Sequence, residues 1–283
     1  MSLLVYQSLW AMEDLPRDEP VQWTLGERVA RIAEAGFHGL SVDLGARQVP
    51  AAAGLAAELR GSGLRAAVNA FVRDAASMDD ALRYAETIGA PLIIVCAQVF
   101  GLDLGFLADA VHGWHARAAA AGVEIQLETH RGTMTNDLRA TVALLDHLDP
   151  AIALAADLSH YVCGCELPDQ PTEEIESLMD AVLGRSVSMQ GRVATRCQVQ
   201  IPLGHVDYQH WVARFRDWWA RGFASMAARG LAEPMFCAEL GTRPYAPTGP
   251  DGRELSDRWA EALVLRDWAR ELYEAAVPAA ARA

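Results

Sequence analysis

Four stretches in the second half of the chain follow one pattern: VEIQLE at 123–128, IALAAD at 152–157, VSMQGRV at 187–193 and MFCAEL at 235–240. Each is a short apolar run that meets a polar residue as it ends: Glu128, Asp157, Gln190 and Glu239. Runs that are apolar on both sides of the strand suit a parallel sheet covered on both faces. Four runs of the same kind lie upstream: LLVYQSLW from Leu3, HGLSVDL from His38, RAAVNAF from Arg65 and LIIVCAQ from Leu92.

The segments between the runs carry helical periodicity. Leu25 to Ala35 places Val29, Ile32 and Ala33 on one side, with Gly36 as a stop signal. Ser77 reads as the N-cap of another helix, with Asp80 three residues on. A third runs from Asn136 to Leu148 and is stopped by Asp149-Pro150. A long one from Asp207 to Arg229 carries an apolar stripe of Trp211, Phe215, Trp218 and Trp219, which suits barrel packing or a dimer face. The last runs from Asp257 to Ala276. Gln198 to Tyr208 and Gly241 to Arg253 read as loops or insertions, and Gly54, Gly61 and Gly63 as helix-end and turn glycines. Eight strands alternating with eight helices in 283 residues predict a single (β/α)8 TIM barrel over 1–283. The competing doubly wound sheet usually carries G-x-G-x-x-G after its first strand, and none stands there.

Composition removes several functions. The formal net charge is −13, so a phosphate backbone is a poor partner. All 24 basic side chains are arginine; without lysine there is no Schiff base, pyridoxal phosphate or Walker-type P-loop chemistry. Five scattered cysteines suit a reducing compartment. Cys163-Gly-Cys165 lacks the two further close ligands that a zinc site wants and reads as ordinary thiols. The N-terminus has no signal-peptide pattern and no apolar run reaches membrane-spanning length, which predicts a cytoplasmic protein with no membrane partner.

In a barrel, chemistry gathers at the C-terminal ends of the strands. There the chain sets Glu128, Asp157 and Glu239, each after an apolar run. Buried carboxylates need partners, and three at one mouth repel each other. A divalent cation satisfies all three; pairing with arginine or capping of helices is the alternative.

The sequences LETH around Glu128, ADLSH from Ala156 to His160, SMQGRV on the seventh run and CAELG around Glu239 resemble the xylose-isomerase-like barrel superfamily. The segment from Glu128 to Asp157 and the tail TGPDGRELSDRW resemble its sugar phosphate isomerase/epimerase branch. The resemblance implies metal ligation by Glu128, Asp157 and Glu239, with a fourth ligand, a histidine on the seventh strand, replaced here by Gln190. An amide oxygen in that place makes an all-oxygen set suited to Mg²⁺ or Mn²⁺, with Co, Fe or Zn as alternatives. The implied reaction is isomerisation or epimerisation of a sugar or keto-polyol through an enediolate, with Glu128 and Glu239 moving the proton. The alternatives are a lyase on the same scaffold, such as a dehydratase, a C-glycoside-cleaving or natural-product tailoring enzyme, or a non-catalytic barrel that lost its metal with the histidine.

His160 corresponds to a family histidine that binds a substrate oxygen. Arg192, two residues past Gln190, points the same way along the strand, and Arg196 in the following loop is the alternative substrate contact. Trp10 and Phe71 offer apolar walls, and Asn69 a polar strand end. His130 and Arg131 could line the mouth or pair with Asp137. The endonuclease branch of the superfamily needs further histidines at the third and fourth strand ends, which are missing. A homo-oligomer is the expectation carried by the resemblance.

Overall fold

In the computed structural model, which describes residues 2–17 and 19–277, every apolar run is a strand. They are β1 (Leu4–Ser8), β2 (Gly39–Asp43), β3 (Arg65–Val72), β4 (Leu92–Ala97), β5 (Glu124–Glu128), β6 (Ala153–Ala156), β7 (Ser186–Gly191) and β8 (Met235–Ala238). They pair in parallel in chain order, and β8 closes on β1. This is the (β/α)8 barrel expected from the alternation.

Strand register decides which residues face inward. Gln126 pairs with Ile94 and Ala153, Ala155 with Glu128 and Ser188, and Gln190 with Cys237. Alternate side chains of a strand share one face. The barrel interior is therefore filled by Tyr6, Ala67, Ile94, Ala155, Met235 and Cys237, which form their own buried cluster. One step further towards the C-terminal ends, the same faces carry Asp43, Asn69, Cys96, Glu128, Asp157, Gln190 and Glu239. Outward-facing residues such as Val68, Ile93, Leu127, Leu154 and Met189 join the larger core under the helices.

Nine α-helices rather than eight stand among the described residues. They are α1 (Leu25–Glu34), α2 (Ala52–Leu59), α3 (Ala75–Ile88), α4 (Leu104–Ala120), α5 (Leu138–Leu145), α6 (Leu158–Gly164), α7 (Glu173–Arg185), α8 (Gln209–Ala228) and α9 (Arg258–Ala276). The additional one is α6, a short helix that springs straight from the end of β6. Helix starts are set by side-chain oxygens on orphan amides: Thr24, Asp103, Asp137, Asp157, Thr172 and Asp257 all cap in this way. The start of α3 differs from expectation. Asp74 is the N-cap, and Ser77 sits inside the helix, closing a reciprocal capping box. Gly54 lies within α2, while Gly61 and Gly63 do occupy positive φ. The aromatic stripe of α8 is wholly buried: Phe215 packs on Trp218 and Trp219, and Trp219 meets Phe236 of β8 at 5.2 Å. It is barrel packing. No described helix is long and apolar enough to cross a membrane.

Candidate active site

At the C-terminal mouth lies a cleft of about 180 Å³ lined by Trp10, Asp43, Asn69, Phe71, Cys96, Glu128, His130, Arg192, Glu239 and Tyr245, among others. Four strand-end carboxylates, Asp43, Glu128, Asp157 and Glu239, converge around one guanidinium. Arg192 is 2% exposed. Its Nε donates to the Glu239 carbonyl at 3.0 Å and its Nη2 to Glu239 Oε2 at 3.0 Å. Nη2 also stands 3.2 Å from Asp157 Oδ2. The guanidinium carbon lies 4.8 Å from the centre of the Tyr245 ring and 5.5 Å from that of Trp10. Arginine thus provides part of the compensation that the sequence reading sought from a metal.

One guanidinium is insufficient for this much buried negative charge. Burial, reinforced by the charge of Asp157, pushes Glu128 from its ordinary 4.5 up to about 8. Glu239 and Asp157 are raised as well, first by burial, although each stands beside Arg192. Asp43 rises to about 6, again through burial. Burial opposes the Arg192 charge too, but Asp157 and Glu239 outweigh it and hold the guanidinium protonated.

Local structure explains how each group is aimed. Asp157 caps α6 through Oδ1, which accepts from the Ser159 amide at 2.9 Å and from its hydroxyl at 2.5 Å. Its Oδ2 accepts no hydrogen bond. Glu128 Oε2 accepts from Asn69 Nδ2 at 3.4 Å and Cys96 Sγ at 3.2 Å. The loop after β5 is pinned by Thr135, whose hydroxyl donates to the Glu128 carbonyl at 2.5 Å and accepts the His130 amide at 3.2 Å. That fold brings His130 into the cleft, where its ring centre lies 3.9 Å from that of His160. Burial pulls His130 down to about 4 and His160 also well below the usual histidine range, so both rings are neutral. Gly241 follows β8 closely because Trp10 demands it: a Cβ there would come within 2.2 Å of the indole.

The residues expected from sequence divide clearly. Trp10, Asn69, Glu128, Arg192 and Glu239 all line the cleft. Asp157 touches Arg192 behind it. Gln190 faces the barrel interior, 1% exposed, with neither amide atom hydrogen-bonded. His160 is fully buried beside Asp157, 3.5 Å from Nε2 to Oδ2. Arg196 stands apart from the cleft, largely exposed, 3.8 Å from Glu166. Neither His130 nor Arg131 pairs with Asp137, which caps α5; the Arg131 guanidinium lies over Tyr245 at 4.8 Å. All five cysteines are free thiols.

Asp43 and Tyr245 in the cleft were not expected. Asp43 ends β2 after SV just as the other acids end their strands, so the strand-end rule would have found it. Tyr245 sits in the loop from Gly241 to Arg253, beyond any strand, and nothing local in the sequence marks it.

The donor chemistry suits a divalent ion. Excess buried carboxylate surrounds one cation, and the Gln190 amide and both His160 ring nitrogens accept or donate no hydrogen bond, while Asp157 Oδ2 is met only by the Arg192 guanidinium and the His160 ring edge. Potential ligand atoms of Glu128, Asp157 and His160 all lie within 4.8 Å of one another, as do those of Cys96, Glu128 and His130.

No family model and no curated protein matches the chain. Solved structures do. An L-ribulose 3-epimerase superposes with a TM-score of 0.64 at 16% identity, covering 98% of this chain and 96% of its own. A xylose isomerase-like TIM barrel protein from Mycobacterium smegmatis, solved in complex with magnesium, gives 0.60 at 17% identity, covering 97% and 98%. The probable 3-DHS dehydratase AsbF from Bacillus anthracis, involved in petrobactin synthesis, gives 0.58 at 14% identity, covering 93% and 98%. The chain has the fold of the xylose isomerase-like TIM barrels, a scaffold on which these enzymes include epimerases and a dehydratase.

Proposed function

We propose that this protein is a divalent-metal-dependent isomerase or epimerase of a sugar or keto-polyol. The observation that carries the reading is the pair of buried carboxylates, Glu128 and Glu239, that line one small cleft with their proton affinities raised. Carboxyl groups tuned towards neutrality are suited to take and return a proton at carbon.

A bound divalent ion would polarise a substrate carbonyl and so acidify the neighbouring C–H. Glu128 and Asp157 would be its carboxylate ligands, with further donors drawn from Gln190, Glu239 and His160. Glu128 and Glu239 would take and return the substrate proton; delivery to the neighbouring, former carbonyl carbon gives isomerisation, and return to the original carbon from the opposite face gives epimerisation. Asn69 Nδ2 and Cys96 Sγ hold Glu128 in place. Arg192 holds Glu239 by its carboxylate and carbonyl, and its Nη1, buried without a partner, is free to donate to a substrate oxygen. Trp10, Phe71 and Tyr245 supply apolar walls for the carbon face of a sugar. The epimerase and magnesium-bound relatives in fold support this assignment.

The test is solvent exchange. Protein loaded with Mn²⁺ or Mg²⁺ is incubated with a panel of ketoses and keto-polyols in D₂O and followed by NMR. Deuterium entering at the carbon next to the carbonyl, with isomer or epimer formed, is the expected result. Glu128→Gln and Glu239→Gln should each lower that rate by about 10²–10⁴-fold. Release of water or an aglycone would instead establish a lyase on this scaffold. Neither exchange nor elimination across the panel would refute the assignment.

A further inference from the structure

The proposed metal chemistry leaves open which residues complete the ion's coordination, and the geometry departs from the arrangement implied by resemblance. There, ligands come from the ends of β5, β6, β7 and β8. Here the β7 position is Gln190 in place of histidine, and Glu239 of β8 is engaged by Arg192 through both its side chain and its carbonyl. The guanidinium bridges the space between Asp157 and Glu239, so an ion shared by those two carboxylates would have to displace a buried arginine.

Next to that space an imidazole stands ready. Asp157 is the N-cap of α6 and His160 lies in its first turn, so one helical turn sets the two side by side behind the cleft, 3.5 Å from Nε2 to Oδ2. Asp157 Oδ1 is spent on the cap; Oδ2 carries only the single ion pair to Arg192 Nη2 at 3.2 Å and faces His160 Nε2 at 3.5 Å, so it is the oxygen for which an ion competes, whereas Glu239 is held by Arg192 at both carboxylate and carbonyl. His160 is fully buried, and neither ring nitrogen has a hydrogen-bond partner. Burying a polar group without a partner is costly, and coordination is one of few ways to satisfy it. Glu128 supplies the third donor, with all three ligand atoms within 4.8 Å of one another. Ligands about 2.0–2.2 Å from a metal lie about 3–4 Å apart, so the group needs only slight contraction.

We propose that the ion is held by Glu128, Asp157 and His160, so that a histidine on α6 supplies the imidazole that β7 lacks, while Arg192 keeps Glu239 out of the ligand set. The proposal rests on the metal-dependent reading and sharpens it. Two carboxylates with one imidazole favour Mn²⁺, Co²⁺ or Zn²⁺ over Mg²⁺, whereas an all-oxygen set would not.

The experiment reads the ligands directly. Chelator-stripped protein is titrated with Mn²⁺, Co²⁺ and Mg²⁺ by calorimetry, and pulsed electron paramagnetic resonance of the Mn²⁺ form is searched for a directly bound nitrogen. Wild type should show one coordinated imidazole nitrogen and bind Mn²⁺ and Co²⁺ more tightly than Mg²⁺. Loss of a supporting neighbour alone weakens metal sites about 10–100-fold, so His160→Gln should weaken Mn²⁺ binding at least that much and abolish the nitrogen signal. Gln190→Ala and Glu239→Gln should weaken Mn²⁺ binding clearly less than His160→Gln does and should retain the nitrogen signal. The wild-type spectrum needs no variant to fold, and near-ultraviolet circular dichroism checks the others. Bound Mn²⁺ without a nitrogen signal, or losses confined to Gln190→Ala and Glu239→Gln, would overturn the proposal while leaving the metal-dependent reaction intact. No binding of any of the three ions would overturn both.

Discussion

Arg192 concentrates the energetics of the mouth on one residue. It is buried, touches Asp157 and Glu239, and lies against two aromatic rings. Removing one partner of a buried ion pair strands the other's charge, at about 3–5 kcal/mol. Arg192→Met should therefore destabilise the fold by about that amount in a denaturant titration at neutral pH, and a bound divalent ion should recover part of the loss. Arg196 is the contrast. It differs from Arg192 by four places in sequence, but lies exposed outside the cleft. Arg196→Ala should leave the solvent-exchange rate within about twofold and stability within about 0.5 kcal/mol. Position past a strand end marks both arginines as candidates; only the path of the chain after β7 separates them.

At the scale of elements, two features show how local rules are joined to the barrel. Asp74 and Ser77 cap α3 reciprocally. Asp74→Ala should lower the midpoint of urea unfolding without affecting the solvent-exchange rate, because no residue of the α3 start lines the cleft. The packing of α8 on β7 is less forgiving. A Cβ on Gly222 would stand 2.4 Å from Met189 Sδ and 3.2 Å from Leu183 Cδ2. Overpacking at such a contact costs about 1–3 kcal/mol, so Gly222→Ala should lower the midpoint of urea unfolding despite alanine's better helix propensity. The strands were legible almost to the residue because each run is rich in apolar residues, without a break in LIIVCA, ALAA and MFCA, and is bounded by polar or glycine-containing sequence. Helix starts were less so: Ser77 is a good capping residue, but Asp74 competes for the same role, and three residues decide which oxygen reaches the free amides. The short α6 was hidden because it begins on the same aspartate that ends β6.

For the whole molecule, the buried carboxylates couple stability to pH. Glu128 binds its proton more tightly when folded than unfolded, about 8 against 4.5. Through this group the native state holds more protons than the unfolded chain, so its contribution falls as pH rises to about 8; His130 and His160, held below the ordinary 6.5, act in the opposite sense up to that pH, so the fall stands out between about 6.5 and 8. Chelator-treated protein should show this fall in denaturant titrations at the two ends, and Glu128→Gln should flatten it. A divalent ion at one hundred times its dissociation constant should restore about 2.7 kcal/mol at the alkaline end.

The order of eight apolar runs and helical segments was enough to determine a (β/α)8 barrel, because burial on both faces and a regular alternation leave few other solutions. The same reading placed Glu128, Asp157 and Glu239 at strand ends, where the fold brings them to one mouth. What it could not determine was who neutralises whom. Arg192 reaching across from β7 to Glu239, Tyr245 entering from a loop, and His130 folding back against His160 all depend on contacts between residues far apart in sequence. Those contacts are set by loop paths and side-chain reach, which no local pattern of hydrophobicity or capping encodes.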